Sequence, residues 1–271
     1  MDHGVEATAY LVNESRARLP ELSRDPLARW WIPEQERARV QQMWEEFAAT
    51  VYPHDDLVVS LRGRSILDEL TGLLARHPDT VLVFCGAGFT SYPWLLPVTT
   101  AVEADLPHIV HAKQARAAAL TADGVLPERE VVHLPLDLSR AADREQLVAR
   151  VRELSAGRPV GYVAEGLIYY LPPADAAAVA GLGRRWQAVM SVVSYWPEAA
   201  VDNPVLAVQR KWFRQRSVPE EATHFEFSQL AALLGAEVRN FSLEEQQRRY
   251  LGEVRLPEHA LVPEHLAVAV R

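Results

Sequence analysis

The sequence predicts an α/β protein, a mostly parallel sheet with helices on both faces. Three observations carry this. From residue 80 onward, short apolar runs alternate with helix-like stretches. Gly86, Asp105, Asp137 and Glu165 all fall at or just past the ends of such runs, where open α/β sheets place their ligand-binding residues. At 271 residues, 49% hydrophobic and 24% charged, the chain has an ordinary globular composition and is long enough to bury a full core as one domain.

The elements follow in order. Residues 1 to about 55 read as two or three helices broken by Pro20, Pro26 and Pro33, with Trp30, Trp31 and Trp44 among them. This segment reads either as packing on the core or as a cap over a site, and the division adopted is a cap, 1–55, and a core, 56–271. Expected helices cover 60–77, 107–120, 140–155, 173–186 and 226–234, helped by alanine-rich stretches at 115–119 and 176–180. Expected strands cover 80–85, 98–103, 130–134, 159–164, 188–195, 236–241 and 265–271. Residues 196–225 form a candidate lid, in which Val205, Val208 and Trp212 stand three and four apart on an amphipathic helix. A helix simply packed on the sheet is the competing reading.

Composition narrows the function. A net charge of −8 and no basic cluster interleaved with aromatics argue against a nucleic-acid partner. No apolar stretch approaches the 18 residues of a membrane span, and no signal-peptide profile opens the chain, so a cytoplasmic address is expected. The one cysteine, Cys85, ends an apolar strand and reads as a buried hydrophobe. His108 and His111 stand three apart on a helix without an evident third ligand, so no metal is expected.

The most informative stretch is TVLVFCGAGFTSYPWLLPVTTAVEADLP, residues 80–107. It reads as buried strand, glycine turn at Gly86-Ala87-Gly88, short helix, second strand, then Asp105. Glycines let backbone approach a ligand closely, and an acid about 20 residues on accepts hydrogen bonds from ribose hydroxyls. An adenosine-containing cofactor is implied. The dinucleotide fingerprint wants a small residue three positions after the second glycine; here Ser91 is followed at once by Tyr92-Pro93-Trp94. Such a turn suits a ligand without a pyrophosphate, and S-adenosylmethionine is favoured over NAD.

Further segments occur in order: TAYLVNESRARLPELSRDPLA at 8–28, LPHIVHAKQARAAAL after Asp105, VVHLPLDLS at 131–139 and YVAEGLIYYLPP at 162–173. Together with the glycine turn they resemble the leucine carboxyl methyltransferase family, which includes polyketide O-methyltransferases. That family reads roughly GAGFDTR, EVDLPxxxxxK, a DL pair and EGxLxYL, after a helix bearing an RA pair and a later DP. The resemblance spans roughly residues 8–180. It implies a seven-stranded Rossmann-like methyltransferase sheet flanked by helices, with an N-terminal helical cap.

The resemblance also implies roles. Gly86, Ala87 and Gly88 would form the cofactor turn. Asp105 would hold the ribose diol, with a helix N-cap as its competing role, and Glu103, two residues earlier on the same strand face, is a second candidate. Asp137 and Leu138 would lie beside the adenine, and Glu165 would face the cofactor's amino group. Arg62, preferred to Arg64 because Arg62-Gly63 matches the family's Arg-Gly, would engage the carboxylate end, with Arg16 as a weaker candidate. Tyr170 and Tyr92 are the candidate catalytic aromatics. A tyrosine beside the sulfonium would contribute roughly 0.5–2 kcal/mol by cation–π contact. Tyr92 stands where the family has an arginine, Thr90-Ser91-Tyr92 replacing Asp-Thr-Arg, and Leu95 replaces a second arginine.

The function implied is S-adenosylmethionine-dependent O-methylation of a small natural-product carboxylate or hydroxyl. Two rivals remain open because of the lost arginines. One is another displacement on the same cofactor, such as cyclisation releasing methylthioadenosine; the other is non-catalytic binding. Neither the acceptor nor the oligomeric state is legible.

Overall fold

β1 (Val81–Cys85) is an uninterrupted apolar run, and every residue in it is buried. A strand covered on both faces needs apolar side chains throughout. Val81, Val83 and Cys85 enter one core cluster, and Leu82 and Phe84 enter the other. The remaining strands are β2 (Thr100–Asp105), β3 (Val131–Pro135), β4 (Val160–Ala164), β5 (Met190–Pro197), β6 (His224–Phe225), β7 (Glu237–Phe241) and β8 (His265–Val270). The structure, a computed structural model, describes residues 3–215, 222–235 and 237–271.

Across the sheet the order is β3-β2-β1-β4-β5-β8-β7, with the two-residue β6 paired to the end of β5. β1 to β5 pair in parallel, whereas β8 runs antiparallel between β5 and β7. The seven expected strands all form, each within two residues of its expected bounds. β6 is unexpected, since two residues carry no periodicity.

Ahead of the sheet lie α1 (His3–Arg18), α2 (Pro20–Ser23), α3 (Arg37–Thr50) and α4 (Asp55–Arg76). α4 starts five residues before the expected position, because Asp55 and Asp56 occupy its first turn, where carboxylates complement the helix dipole. Between and after the strands come α5 (Tyr92–Leu95), α6 (Pro107–Ala122), α7 (Ala141–Ser155), α8 (Pro173–Ala180), α9 (Leu182–Arg185), α10 (Pro204–Arg214), α11 (Phe227–Leu234) and α12 (Leu243–Leu251). The single helix expected over 173–186 is two, divided at Gly181. α7, α8 and α11 cover one sheet face, and α4 with α5 covers the other.

Residues 1–55 share their apolar clusters with later parts of the chain. Tyr10 stacks on Phe89 at 4.7 Å, and Trp31 meets Trp94 at 4.9 Å. Of the candidate lid, α10 is capped by the Asn203 side chain, which accepts from the Leu206 amide. Its buried residues are Leu206, Gln209, Trp212 and Phe213. The expected Val205–Val208–Trp212 stripe is therefore corrected by about one position; Val208 is 43% exposed. Residues 216–221 of that candidate lid lie outside the described residues. Among the described residues no helix is long and apolar enough to cross a membrane.

Candidate active site

A cavity of about 500 Å³ opens beyond the carboxyl ends of the parallel strands. Chain order reverses there, β2 and β3 lying to one side of β1 and β4 and β5 to the other. Such a switch point leaves a crevice for a ligand. At the β1 end, Gly86 and Gly88 have φ of +65° and +45°, which L side chains resist. A Cβ on Gly86 would also stand 3.0 Å from Leu167, on the loop after β4.

Asp105 ends β2 and lines the cavity. One carboxylate oxygen accepts from the Gly88 amide at 2.7 Å, the other from the Leu106 amide at 2.7 Å. The cap position of α6 belongs to Leu106, so Asp105 braces the glycine turn and does not cap the helix. Burial raises its pKa above the ordinary value, against those amide hydrogen bonds. Asp137 and Leu138 line the same end. The Asp137 carboxylate accepts from the Ser139 amide and hydroxyl, a local turn that holds it at the rim.

Glu103 does not line the cavity, which corrects its candidacy. It is buried, and Lys113 donates to its Oε1 at 2.6 Å, with His133 at 3.3 Å from Oε2. It sits two residues deeper than Asp105, roofed by the Lys113 side chain from α6. Burial lowers the Lys113 pKa, against the attraction of Glu103.

At the end of β4, Glu165 gathers three donors. Its Oε1 accepts from Arg16 Nη2 at 2.5 Å and from Arg62 Nε at 2.7 Å, and its Oε2 accepts from Tyr92 at 2.7 Å. Burial alone would raise its pKa, but Arg16, Arg62 and the Tyr92 hydrogen bond hold it down at about 2. Tyr92 does not line the cavity; it stands behind Glu165 as a positioning residue, which corrects its expected catalytic place. Burial keeps its phenol well above the ordinary pKa, so it remains a donor. Tyr170 does line the cavity, edge-on to Trp196 and Phe213 at 5.9 and 6.4 Å. Arg64, the less favoured arginine, pairs with Asp68 on α4.

The structure also brings in residues that the sequence did not single out. Glu264, just before β8, accepts from Arg62 and from Tyr169. Asp55, at the start of α4, accepts from Ser15 at 2.5 Å and from Tyr52 at 3.0 Å. Val58, Phe213 and Val262 complete an apolar wall with Tyr170, and the Gln209 amide lies beside it. Gly63 explains the Arg-Gly pair: a Cβ there would stand 3.2 Å from Arg16 Nε, so the guanidinium lies over bare backbone.

The chain matches the leucine carboxyl methyltransferase family over residues 5–181. It belongs to that family. It is an S-adenosylmethionine-dependent methyltransferase. Among curated proteins none matches the chain. The methyltransferase is similar in fold to a DUF574 family protein from Streptomyces avermitilis, with 13% identity, 86% of this chain and 90% of that one covered, and a TM-score of 0.59. It is similar also to a candidate methyltransferase from Thermobifida fusca, with 14% identity, 86% and 88% covered, and a TM-score of 0.61.

The residues present fit the cofactor. Arg16 lines the cavity; its buried Nε has no hydrogen-bond partner, and its Nη1 has only a long ion pair with Asp25 at 3.9 Å. Unpaired buried donors cost about 1–3 kcal/mol each, a cost that a ligand carboxylate relieves. Asp55, Glu165 and Glu264 face the same space with Arg16 and Arg62, an acid excess suited to a ligand carrying sulfonium and ammonium charges. The glycine turn of the methyltransferase leads into a helix of four residues, not the long helix whose N-terminus holds a pyrophosphate.

Proposed function

We propose that the chain is an O-methyltransferase acting on a small natural-product carboxylate or hydroxyl, in the cytoplasm and in secondary metabolism. The observation that carries this is the continuity of one cavity. Its β1–β3 end has the glycine turn, Asp105 and Asp137; its other end has an apolar and aromatic wall of Val58, Tyr170, Phe213 and Val262. The first end suits adenosine, and the second has room for an organic acceptor beside the methionine part.

In this reading Asp105 accepts from the ribose diol with the lone pairs left by Gly88 and Leu106. Asp137 and Leu138 flank the adenine. Glu165 Oε2 takes the amino group, and Arg16, with Arg62 behind it, takes the carboxylate. Tyr170 lies near the sulfonium, where its ring face favours the cation. S-adenosylmethionine supplies a methyl group already activated as a sulfonium. The chain's own task is to align the acceptor and exclude water, which residues 1–55 and α10 serve as covers.

The test is incubation of the full chain with S-adenosylmethionine and a panel of small phenols and carboxylic acids, read by mass spectrometry. S-adenosylhomocysteine with an O-methylated product supports the reading. Methylthioadenosine would mean a different displacement on the cofactor, and neither nucleoside would mean a binding protein.

A further inference from the structure

α4 presents Asp55, Val58, Val59 and Arg62 to the cavity along a single face. Seven residues at the helical rise put Asp55 about 10 Å along the axis from Arg62. Arg62 holds Glu165, so Asp55 stands beyond the residues assigned to the methionine part, on the acceptor side.

We infer that Asp55 is the base that takes the proton of a hydroxyl acceptor, so that the substrate is a neutral phenol- or enol-type hydroxyl and not a carboxylate. This rests on the O-methyl-transfer reading above. The carboxylate is buried and bound at both oxygens, by Ser15 at 2.5 Å and Tyr52 at 3.0 Å. Each oxygen keeps a further lone pair, and Asp55 lines the cavity. Its surroundings are Ser15 of α1, itself held by Trp44 of α3, Tyr52 before α4, Arg62 on α4, and Glu264 before β8.

Burial raises the Asp55 carboxyl to about 6, against the Ser15 and Tyr52 hydrogen bonds and Arg62, with Glu264 adding to the rise. A carboxyl poised there is ionised at neutral pH yet basic enough to accept a proton in the transition state. The step balances. The acceptor's O–H proton passes to Asp55, its oxygen pair forms the new O–C bond, and the C–S bond breaks with its electrons left on sulfur. The carboxylate and sulfonium charges disappear together. A carboxylate acceptor needs no base, and at this end it would face the like charges of Asp55 and Glu264, which disfavour it.

Two arms test this on the full chain, with Asp55→Asn and Tyr52→Phe as variants. In the first, the chain is loaded with S-adenosylhomocysteine, and 4-methylphenol and 4-methylbenzoate are titrated at neutral pH. The wild type should prefer the phenol by about tenfold, and Asp55→Asn should lose most of that preference, both proteins being compared at saturating S-adenosylhomocysteine. In the second, methyl transfer to 4-methylphenol, which stays neutral across the range, is followed against pH. Asp55→Asn should lose about 10²–10⁴ in rate, within the range of general-base catalysis, and the pH dependence of the wild type. Tyr52→Phe should move the inflection to higher pH, because the carboxylate loses a stabilising donor. Preference for 4-methylbenzoate, or an unaltered profile in Asp55→Asn, would overturn the base and leave O-methylation standing. No S-adenosylhomocysteine from any acceptor would overturn methyl transfer and the base with it.

Discussion

Arg16 Nη2 meets Glu165 Oε1 at 2.5 Å, joining the first helix to the end of β4 across 149 residues of chain. The pair is buried on both sides. Removing one partner of such a pair leaves the other charge uncompensated. Arg16→Met should therefore destabilise the fold by about 3–5 kcal/mol and weaken S-adenosylmethionine binding. Thermal unfolding and calorimetry read both. Normal affinity in a folded variant would assign the carboxylate end to Arg62 alone.

Gly63→Ala tests the same guanidinium without touching any charge. The new methyl would press on Arg16 Nε from 3.2 Å, and Arg16 is held on its far side by Glu165 and Tyr92. Cofactor affinity should fall severalfold, and stability by about 1–3 kcal/mol, as for overpacked sites. Unchanged affinity would show that Arg16 has slack.

Asp105→Ala should cost roughly 2–3 kcal/mol of cofactor binding, the scale of hydrogen bonds to a charged acceptor. It should also free the Gly88 amide, so that hydrogen exchange at Gly88 quickens even without ligand. Loss of binding with unchanged exchange would confine Asp105 to the ligand.

Asp55→Asn should raise stability at neutral pH. The folded carboxyl titrates near 6, above its ordinary 3.8. The folded state therefore holds this proton where the unfolded chain has released it, and its contribution declines as pH rises through that window. The ionised form should cost about 2–3 kcal/mol near neutrality. The variant's advantage should vanish below about pH 4, where both states are protonated. Glu165 has the opposite sign: held at about 2, it stabilises above its ordinary 4.5 and loses this as pH falls toward 2. Unfolding curves of both proteins across pH decide the matter; a pH-independent advantage would mean that Asp55 carries no raised pKa.

Truncation before residue 34 should unfold the chain or leave it aggregated. It removes Arg16 from Glu165, Trp31 from Trp94 and Tyr10 from Phe89, exposing aromatics that belong to the core. A soluble, cooperative truncated protein would instead make the segment a detachable cover.

The sheet was legible because strands buried on both faces write themselves as apolar runs, as in Val81–Cys85 and Val160–Ala164. α12 was missed although Ser242 and Glu245 form a capping box ahead of it, because its polar residues mask the apolar period. The glycine turn and Asp105 could be read because they are contiguous with strands. Asp55, Tyr52 and Glu264 could not: they come from a helix start, a loop and the approach to β8, and only folding brings them to one wall. Glu103 misled because strand parity gives the face of a residue but not its depth along the strand. Tyr92 misled because its ring packs on Phe84 at 5.6 Å, leaving only its hydroxyl directed at Glu165.

β8 comes after every other strand in the chain, yet it lies inside the sheet, between β5 and β7. Glu264, the residue just ahead of it, completes the Arg62 pairing. During synthesis, Arg62 and β1 to β5 emerge before this strand. Nascent chains that lack residue 264 carry that arginine short of a carboxylate and an unfilled slot beside β5, whose open edge can recruit other strands. The full pairing of Arg62, and with it this wall of the cavity, therefore waits on the insertion of β8.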